Sequence, residues 1–521
     1  LDSFLSRSDM EIIIIGAGLA GLSAALQAAE NGCNVKLVSS LPSERAQSVM
    51  AEGGINAALN TKDENDSPEE HFTDTIKAAC GLADPNAVWG MTQAAPELVH
   101  WLLKLGVKFN MSGYDDVDLR NFGGQKKKRT AFAQSDTGKQ IMTAMIDAVR
   151  RKEASGMVER FSHHSFLTLR LCGNICCGCV IRDEYSQETV ELPGDAVIVA
   201  TGGMHGLFGN TTGSLSNTGE VTAELFRLGV PLANGEMIQY HPTTVKCGGK
   251  RMLISEAARG EGGRLFAMKD GKQWYFMEEK YPELGNLMPR DITAREIWKV
   301  SHESEVFLDM TEISEEIISN KLSGLVDDCM TYLHKDIRKE PVSVLPGIHY
   351  FMGGILVDEQ HRTPIQNLYA AGECCAQYHG ANRLGGNSLL GALYGGRVAA
   401  KSACEQADVV DLSCATQIDF PPASQISEIK QLNKVMQETM GVVRNENTLL
   451  NGIKTVQALT GNLPLLGMAV LKSALARKES RGAHWREDYP KSNDDDYLKT
   501  TVARFDGKQI QISFVPVPER R

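Results

Sequence analysis

A glycine-rich stretch near the start of the chain limits the possible folds more than any other feature. The apolar run Ile12–Ile15 indicates a short strand, an alanine-rich helix follows, and Val35–Ser39 indicates a second strand. Between the first strand and the helix lies the pattern G-x-G-x-x-G, formed by Gly16, Gly18 and Gly21. The first glycine permits a tight turn, the second lets a pyrophosphate approach the backbone, and the third lets helix and strand pack closely. The stretch therefore predicts a Rossmann-like dinucleotide-binding unit with phosphate at the helix N-terminus.

The end of the second strand departs from the usual pattern. In many such units an acidic residue at this point hydrogen-bonds a ribose. Here the strand ends in Ser39, which is followed by Ser40. Because a hydroxyl can also hydrogen-bond a ribose, we expect Ser39 to take this role.

Two later segments indicate that the nucleotide-binding domain is interrupted. DAVIVATGG at 195–203 and IQNLYAAGECC at 365–375 each predict a buried strand that runs into a glycine turn. After about residue 420, apolar residues recur at the three- and four-residue spacing of helices, and a strand-like tail closes the chain. The predicted fold class is α/β, with a discontinuous Rossmann-like domain, an inserted α+β domain and a C-terminal helical domain. The predicted boundaries are 1–235 and 346–420 for the Rossmann-like domain, 236–345 for the insertion, and 421–521 for the helical domain with its tail.

Composition and cysteine spacing exclude several classes of function. The formal net charge of -11 over 521 residues argues against nonspecific binding to nucleic acids or anionic membranes. No stretch has the roughly 18 apolar residues of a membrane span, and the N-terminus lacks the pattern of a secretory signal. The scattered cysteines favour a reducing, cytoplasmic setting. Cys176 and Cys179 have C-x-x-C spacing but no second pair follows, so CGNICCGCVIRDE predicts a β-hairpin rather than a metal site.

Four glycine-rich patches concentrate histidine, arginine and glutamate. They are EMIQYHPTTV with His241; MLISEAARGEGGRLF with Ser255, Glu256 and Arg259; MPRDITAREI with Arg290; and GIHYFMGGI together with HGANRLGGNSLLGALYGGR, with His349, His379 and Arg383. Each also has a purely structural interpretation. A lone histidine is more often structural than functional. Arg290 beside Asp291 could form a surface ion pair of little value. Glu256 and Arg259, three apart, could pair on a helix surface.

Arg383 favours a functional interpretation. A long cation in glycine-rich backbone is suited to bidentate binding of a carboxylate. Together the patches predict a site with several cations and no metal, which suits a small dicarboxylate. The chemistry expected there is hydride transfer by a flavin.

Ordered motifs along almost the whole chain resemble the flavoprotein subunits of the fumarate reductase and succinate dehydrogenase family, of which L-aspartate oxidase is a near relative. The motifs are IIIIGAGLAGLSAAL, AEGGINAAL, FGGQKKKRTAFAQSDTG, VIVATGG, QYHPT, EAARGEGG, PRDITAREI, GIHYFMGGI, LYAAGE, HGANRLGGNSLLGALYGGR and ESRGAHWREDYP. The resemblance implies a bipartite FAD-binding domain, an inserted capping domain that closes over the substrate, and a C-terminal helical domain. It also implies an FAD-dependent oxidoreductase that interconverts fumarate and succinate.

The resemblance assigns residues to the substrate. The implied ligands of its two carboxylates are His241, Ser255, His349 and Arg383. Ser255 stands where a threonine is expected, and the hydroxyl is retained. Phe122 is implied to pack against the substrate and help twist it, and Gly54 to let the substrate approach bare backbone.

The resemblance also assigns the proton chemistry. Arg290 is implied as the general acid that protonates one alkene carbon while the flavin delivers hydride to the other. Because the pKa of arginine lies above about 12, Arg290 needs help, and Glu256 and Arg259 are implied as the relay that reprotonates it. Cations around the carboxylates would also stabilise the carbanion-like transition state.

The implied contacts to FAD extend along the whole cofactor. The pyrophosphate is expected at Gly16, Gly18 and Gly21, the adenosine ribose at Ser39, the ribityl region at Glu373, and the isoalloxazine at the helix start of Ser388 and Leu389. Further implied contacts are Gln47, Ser48, Gly53, Gly54, Ala200, Thr201, Gly202, Glu220 and Arg383.

Residue 47 bears on how the FAD is held. Family subunits that attach FAD covalently carry the motif Arg-Ser-His-Thr-Val-Ala-Ala, whose histidine is the attachment point. This chain has RAQSVMA at 45–51, with Gln47 in that place. Since an amide cannot form the histidyl bond, FAD is predicted to bind noncovalently. In the family a covalent link accompanies a higher flavin potential, so its absence favours fumarate reduction over succinate oxidation.

Several alternatives stay open at this point. L-aspartate oxidase uses the same site to oxidise an amino acid to an imine, although Phe122 and the run Lys126–Arg129 resemble the reductase form more closely. A reductase for another acrylate is less favoured, because His241 and Arg383 together suit two carboxylates. A non-catalytic FAD subunit is also less favoured, because every implied acid and ligand is present.

The electron donor is not encoded in a recognisable motif. The sequence has no C-x-x-C-H haem site and no ferredoxin-like cysteine array, so electrons must come from a partner subunit or a diffusible donor. The resemblance implies an iron–sulfur subunit as that partner. It also implies a cytoplasmic protein, attached through partner subunits at most to the inner face of a membrane.

Overall fold

The structure is a computed structural model that describes residues 10–114, 116–407, 418, 420 and 425–521. The strands are β1 (Glu11–Ile15), β2 (Asn34–Ser39), β3 (Ile55–Asn56), β4 (Leu119–Arg120), β5 (Thr130–Ala131), β6 (Val158–Ser162), β7 (His164–Cys172), β8 (Ile175–Asp183), β9 (Thr189–Pro193), β10 (Ala196–Val199), β11 (Leu232–Ala233), β12 (Ile238–Cys247), β13 (Lys250–Leu253), β14 (Arg264–Lys269), β15 (Lys272–Trp274), β16 (Val306–Asp309), β17 (Val342–Ser343), β18 (Leu345–Phe351), β19 (Gly354–Leu356), β20 (Leu368–Ala370), β21 (Cys375–Ala376), β22 (Lys499–Phe505) and β23 (Ile510–Pro516). The α-helices are α1 (Leu19–Glu30), α2 (Pro68–Ala78), α3 (Pro85–Lys104), α4 (Thr137–Ala154), α5 (Glu220–Arg227), α6 (Glu256–Gly260), α7 (Phe276–Lys280), α8 (Arg290–Ser301), α9 (Glu315–Lys321), α10 (Ser323–Asp328), α11 (Asn387–Gln406), α12 (Ile426–Thr439), α13 (Glu446–Val456), α14 (Asn462–Ala476) and α15 (Asp494–Tyr497).

A five-stranded parallel sheet organises the nucleotide-binding part, in the order β20-β10-β1-β2-β6. The residues Ile12–Ile15 of β1 are buried on both faces of the sheet, which explains their continuous apolar run. Strand β20 lies about 170 residues after β10 in the chain yet pairs with it directly. The predicted discontinuous sheet is therefore confirmed.

Two helices bring their N-termini to the same cavity beside this sheet. Helix α1 follows β1 with Gly18 as its N-cap, and α11 has Gly386 in the same position. The two helices pack so closely that a Cβ on Gly396 would lie 2.3 Å from the carbonyl oxygen of Ala20. Both helix starts can therefore place N–H groups toward one ligand.

The inserted region is α+β, as predicted. It contains the three-stranded sheet β13-β12-β18 and the four-stranded sheet β15-β14-β16-β17, with α6 to α10 around them. The predicted boundary at 345–346 falls inside β18, and the one at 420–421 lies beside residues outside the described ranges. These domain boundaries stay predictions.

The C-terminal part is helical and then turns to strands, as the spacing predicted. Helices α12, α13 and α14 pack together, and the hairpin β22–β23 extends the sheet β21-β19-β11-β22-β23. In the described part of the chain, no helix is long and apolar enough to cross a membrane.

The cysteine-rich stretch is a hairpin, which confirms the prediction. Strands β7 and β8 pair antiparallel, with Cys172 opposite Ile175 across the turn at Gly173. Within the described ranges no cluster of histidine, cysteine or carboxylate side chains has the arrangement of a metal site.

Candidate active site

A cavity of about 1390 Å³ runs from the glycine loop after β1 to the sheet of β12 and β18. Every candidate residue that the sequence proposed for the site lines it, except Gly21, Arg259 and His379. Gly21 has a packing role, because a Cβ there would lie 1.8 Å from the carbonyl oxygen of Gly16. Arg259 lies behind the wall, 3.5 Å from Glu256. The structure thus brings the predicted residues together, and their individual roles stay predictions.

The glycines of the loop after β1 have different roles: packing requires Gly16, whereas Gly18 faces the cavity. Gly16 has φ +109°, and a Cβ there would lie 2.2 Å from the carbonyl oxygen of Ala200. A Cβ on Gly18 would have Ser48 Oγ as its nearest neighbour, at 3.6 Å. Ser48 Oγ also accepts a hydrogen bond from the N–H of Leu19, at the first turn of α1. Gly18 therefore leaves open backbone at the cavity wall, where a pyrophosphate would fit.

The residues at the adenosine end and the flavin end also fit an FAD. Ser39 Oγ is buried and has no hydrogen-bond partner among the described residues, so it is free to bind a ribose hydroxyl. At the far end Ser388 and Leu389 start α11, and both residues line the cavity. Glu220 is the first residue of α5 and lines the cavity wall.

Glu373 is a carboxyl group that the fold makes difficult to ionise. It accepts a hydrogen bond from the N–H of Phe351 at 3.0 Å. Burial raises its pKa to about 7 in spite of that bond and of the charge of Arg383. Near neutral pH Glu373 can therefore either donate to or accept from a hydroxyl group of the cofactor.

Gln47 and the glycine pair after it occupy one wall of the cavity. Gln47 Oε1 accepts a hydrogen bond from the N–H of Ser214 at 2.5 Å, which orients the amide. A Cβ on Gly53 would lie 2.8 Å from the ring of Phe122. Gly54 has φ +134°, and a Cβ there would lie 2.5 Å from the carbonyl oxygen of Ala131. Gly53 and Gly54, which the sequence assigned to the approach of a ligand, are thus also required by packing.

Arg290, Glu256 and Arg259 form one buried ionic group. Glu256 Oε2 accepts hydrogen bonds from Nε and Nη2 of Arg290 at 2.8 and 2.5 Å, and Arg290 Nη1 donates to Gln239. Arg259 donates to the carbonyl oxygen of Asn286 at 2.6 Å. All three charged side chains are at most 6% exposed. The alternatives of a surface pair for Arg290 with Asp291 and for Glu256 with Arg259 are therefore wrong.

The charges of this group shift the pKa values of its members. Burial alone would raise the pKa of the Glu256 carboxyl, but the charges of Arg290 and Arg259 and the hydrogen bonds from Arg290 and Gly123 together outweigh it, and the pKa is lowered. Burial lowers the pKa of Arg259 from its usual value. A carboxylate held between two guanidinium groups, one with a lowered pKa, can pass a proton from one to the other.

Two histidines face the cavity from neighbouring strands. His241 lies on β12 and His349 on β18, and their rings make an edge contact with centroids 5.1 Å apart. His349 Nδ1 lies 2.8 Å from Thr212 Oγ1. Burial, followed by the charge of Arg290, holds the pKa of both histidines well below the usual range. Both imidazoles are therefore neutral at pH 7 and offer a single N–H donor each.

Arg383 is a buried cation with an unused donor. Its guanidinium lies over the ring of Tyr350 at 4.3 Å, and its Nε has no hydrogen-bond partner within the described residues. Burial lowers its pKa to about 9. Arg383 therefore remains charged at neutral pH and has an N–H free for an anion.

Ser255 and Phe122 complete the wall. Ser255 is the N-cap of α6, and its Oγ accepts a hydrogen bond from the N–H of Ala257 at 3.3 Å, which leaves its own hydrogen to donate. Phe122 is 1% exposed and packs against Gly53 and Gly385. His379 is buried beside Tyr350 but does not line the cavity.

Sequence reasoning missed Glu52. Its Oε2 is buried without a partner among the described residues, and it lines the cavity beside Gly53. Burial and the nearby Asp328 raise its pKa to about 8. The only local signal was its place in AEGG, which does not distinguish a buried acid from an exposed one.

The basic run that favoured the reductase form is held by acidic neighbours. Arg129 is fully buried and forms ion pairs with Asp66 at 2.8 Å and Asp74 at 3.0 Å. Lys127 pairs with Glu70 at 2.7 Å. Two members of the run are therefore structural and do not point into the site.

Comparisons with known proteins agree with this arrangement. A family described as FAD binding domain matches residues 11–389, and one described as fumarate reductase flavoprotein C-term matches 459–520. The succinate dehydrogenase flavoprotein subunit of Bacillus subtilis is 38% identical over 99% of this chain and 98% of its own. The L-aspartate oxidase of Pyrococcus furiosus is 33% identical over 93% of this chain and 97% of its own. A solved mutant of E. coli quinol fumarate reductase superimposes with a TM-score of 0.88 at 27% identity, over 98% of this chain and 96% of the other. The chain belongs to the fumarate reductase and succinate dehydrogenase flavoprotein family and is an FAD-dependent oxidoreductase.

Proposed function

We propose that this protein is a flavoprotein subunit that reduces fumarate to succinate, with FAD bound noncovalently and Arg290 as the proton donor. The observation that carries the proposal is the buried Glu256–Arg290 pair at the same cavity as His241, His349 and Arg383. That cavity holds two separate kinds of group. One set can bind carboxylates, and the other can supply a proton.

The carboxylate ligands favour a substrate with two anionic ends. Arg383 offers a free N–H, and Ser255 has a hydrogen left to donate. His241 and His349 add neutral donors from the adjacent strands. A substrate with one carboxylate would leave part of this set desolvated and unpaired, which is costly. Phe122, packed on Gly53, would press on the chain between the two carboxylates.

The proton is proposed to reach the substrate from the guanidinium of Arg290. Bound FAD would supply the hydride, as flavins do. After Arg290 has given up its proton, Glu256 would return one that arrives from Arg259. The lowered pKa of Arg259 makes that donation easier than from an ordinary arginine. The positive charges of Arg290 and Arg383 would stabilise the negative charge that develops on the substrate.

Noncovalent attachment follows from the chemistry of residue 47. A carboxamide such as that of Gln47 has no nucleophilic ring nitrogen for the flavin methyl group, and its oxygen is already bound to Ser214. Precipitation of the holoenzyme with acid should release all yellow flavin to the supernatant. Flavin that stays in the washed pellet would contradict this attachment.

The electron donor is proposed to be an iron–sulfur partner subunit or a small diffusible reductant. Several relatives are flavoprotein subunits, among them that of an 8-methylmenaquinol:fumarate reductase from Wolinella succinogenes, 32% identical over 98% of this chain. By the same reasoning we propose a cytoplasmic location, with any membrane attachment made through partners.

One assay separates the proposed reaction from amino-acid oxidation. The purified holoenzyme is supplied with reduced viologen and fumarate, and in parallel with L-aspartate and oxygen. Rapid oxidation of viologen by fumarate, without peroxide from aspartate, supports the proposal. Peroxide formation with aspartate and no reaction with fumarate would assign the protein to L-aspartate oxidase instead.

A further inference from the structure

A short turn in the C-terminal part, Arg481–Trp485, contacts the loop that carries Arg383. The N–H of Ala483 donates to the carbonyl oxygen of Ala381 at 2.9 Å, two residues before Arg383. Gly482 has φ +53°, and a Cβ there would lie 2.5 Å from the same carbonyl oxygen. The turn itself is closed by backbone hydrogen bonds in both directions between its residues 481 and 484, at 2.8 and 3.0 Å. One side of the turn therefore fits the Arg383 loop through backbone contacts.

The other side of the turn contacts the helix that begins with Arg290. Along α8, Arg295 and Lys299 are four residues apart and so lie on one face of the helix. The guanidinium of Arg295 lies over the ring of Trp485 at 4.1 Å, and Lys299 Nζ lies 6.0 Å from the same ring. The ring of Trp485 is thus one contact between the turn and α8.

A third link joins the turn to the strand of His241. The backbone N–H of the buried Arg444 donates to the carbonyl oxygen of Trp485 at 2.9 Å. Its side-chain Nη1 lies 2.9 Å from His484 Nδ1 and donates to the carbonyl oxygen of Glu236 at 2.7 Å. Glu236 lies two residues before β12, which carries His241. Three elements of the site therefore meet at this turn.

We propose that the turn Arg481–Trp485 is a brace that sets the distance from Arg290 to Arg383, and that Trp485 is a positioning residue for proton delivery. This inference rests on the proposed function. At this turn the loop of Arg383 is contacted through backbone hydrogen bonds, whereas α8 is contacted through the ring of Trp485. Loss of the ring should therefore displace Arg290 and leave the carboxylate ligands in place. Proton transfer depends more steeply on such a displacement than binding does.

The test compares two replacements of Trp485 with a matched control elsewhere. Trp485→Leu removes the aromatic face, and Trp485→Phe keeps it. The control is Tyr275→Leu, because Arg264 lies over Tyr275 at 3.7 Å in the same kind of contact. In the holoenzyme with reduced viologen, Trp485→Leu should lower kcat for fumarate about tenfold with KM changed less than about twofold. Trp485→Phe should recover kcat to within about twofold of the parent, and Tyr275→Leu should match the parent.

Hydrogen exchange gives a readout that needs no turnover. Backbone amides of 290–301 should exchange about fivefold faster in Trp485→Leu than in the parent. In Tyr275→Leu their exchange rates should equal those of the parent. The brace is overturned if exchange in α8 is unchanged, if KM rises as much as kcat falls, or if phenylalanine fails to restore kcat. If the parent does not reduce fumarate, the proposed function fails, and the exchange rates alone then decide the brace.

Discussion

Glu256 Oε2 accepts hydrogen bonds from both Nε and Nη2 of Arg290, although the two residues are 34 positions apart in the chain. Gly123 adds its N–H to the other carboxylate oxygen at 3.0 Å. Glu256 is thus held on both oxygens, and it orients the guanidinium of Arg290 through two hydrogen bonds. This pairing gives the site a cation that is oriented by one buried acid.

Glu256→Gln should therefore lower the catalytic rate far more than it changes the structure. The amide keeps the shape but loses the charge that neutralises Arg290 and Arg259, and it cannot carry a proton. We expect kcat for fumarate reduction to fall about 100-fold or more, as for loss of a general acid–base group. Steady-state kinetics with reduced viologen measures it. Glu340→Gln, which affects an exposed pair with Lys335, is the control. An equal kcat in both variants would rule out the relay.

Arg383→Lys tests the carboxylate ligand. Lysine keeps the charge but lacks the planar fork that allows bidentate binding, and it cannot stack in the same way on Tyr350. KM for fumarate should rise at least about tenfold. Isothermal titration of a non-reacting dicarboxylate should show the same loss. Unchanged affinity would mean that Arg383 does not contact the substrate.

Gly16→Ala and Gly18→Ala should have different effects: the first should destabilise the fold, and the second should weaken FAD binding. At Gly16 the added carbon would collide with the carbonyl oxygen of Ala200 at a positive φ, so the free energy of unfolding should fall by about 2 kcal/mol or more. At Gly18 space exists in the protein itself, so the apoprotein should unfold normally but bind FAD at least about tenfold more weakly. Urea unfolding of the apoprotein and FAD titration measure the two effects. Equal FAD affinity for Gly18→Ala and the parent would argue against phosphate at that loop.

Glu52→Gln should stabilise the protein at alkaline pH. The pKa of Glu52 is about 8 in the folded chain, against an ordinary value of 4.5, so the folded protein holds the proton more tightly than the unfolded chain. The contribution of this tighter proton binding to the free energy of unfolding is fully present below about pH 4.5. It is lost as the pH rises through about 8. With saturating FAD, the variant should exceed the parent by about 4 to 5 kcal/mol at pH 9 and by less than about 1 kcal/mol near pH 5.

Urea unfolding at the two pH values checks this prediction. Glu303→Gln, at an exposed position just after α8, provides the control and should show no pH-dependent difference. A Glu52→Gln variant that is no more stable than the parent at pH 9 would mean that the carboxyl ionises normally.

Much of the architecture could be predicted because its signals are local. The run Ile12–Ile15 with the three glycines predicted the strand, turn and helix that the structure shows. The apolar segment that became β20 was assigned correctly to the same sheet as β10, since parallel strands buried on both faces have continuous apolar sequences. The hairpin at Cys172 and the helices after residue 425 followed from spacing in the same way.

Local sequence patterns predicted the site less well than the fold. Family resemblance, not spacing, directed attention to Arg290, Glu256 and Arg259 as a group. From the residues alone, Asp291 was as good a partner for Arg290 as Glu256, and nothing singled out Glu52 or Trp485. A buried acid and an exposed one have the same letters around them, because burial depends on what the rest of the chain places on top.

The sequence by itself determined the nucleotide-binding unit, the histidines and arginines of the candidate site, and the presence of glutamine at residue 47. These depend on residue type and short-range spacing. Only the tertiary structure decided that Glu256 takes Arg290 as its partner, that burial raises the pKa of Glu52, and that Trp485 packs against α8. Those outcomes depend on distances between segments far apart in the chain, and on desolvation, which exists only once the chain has folded.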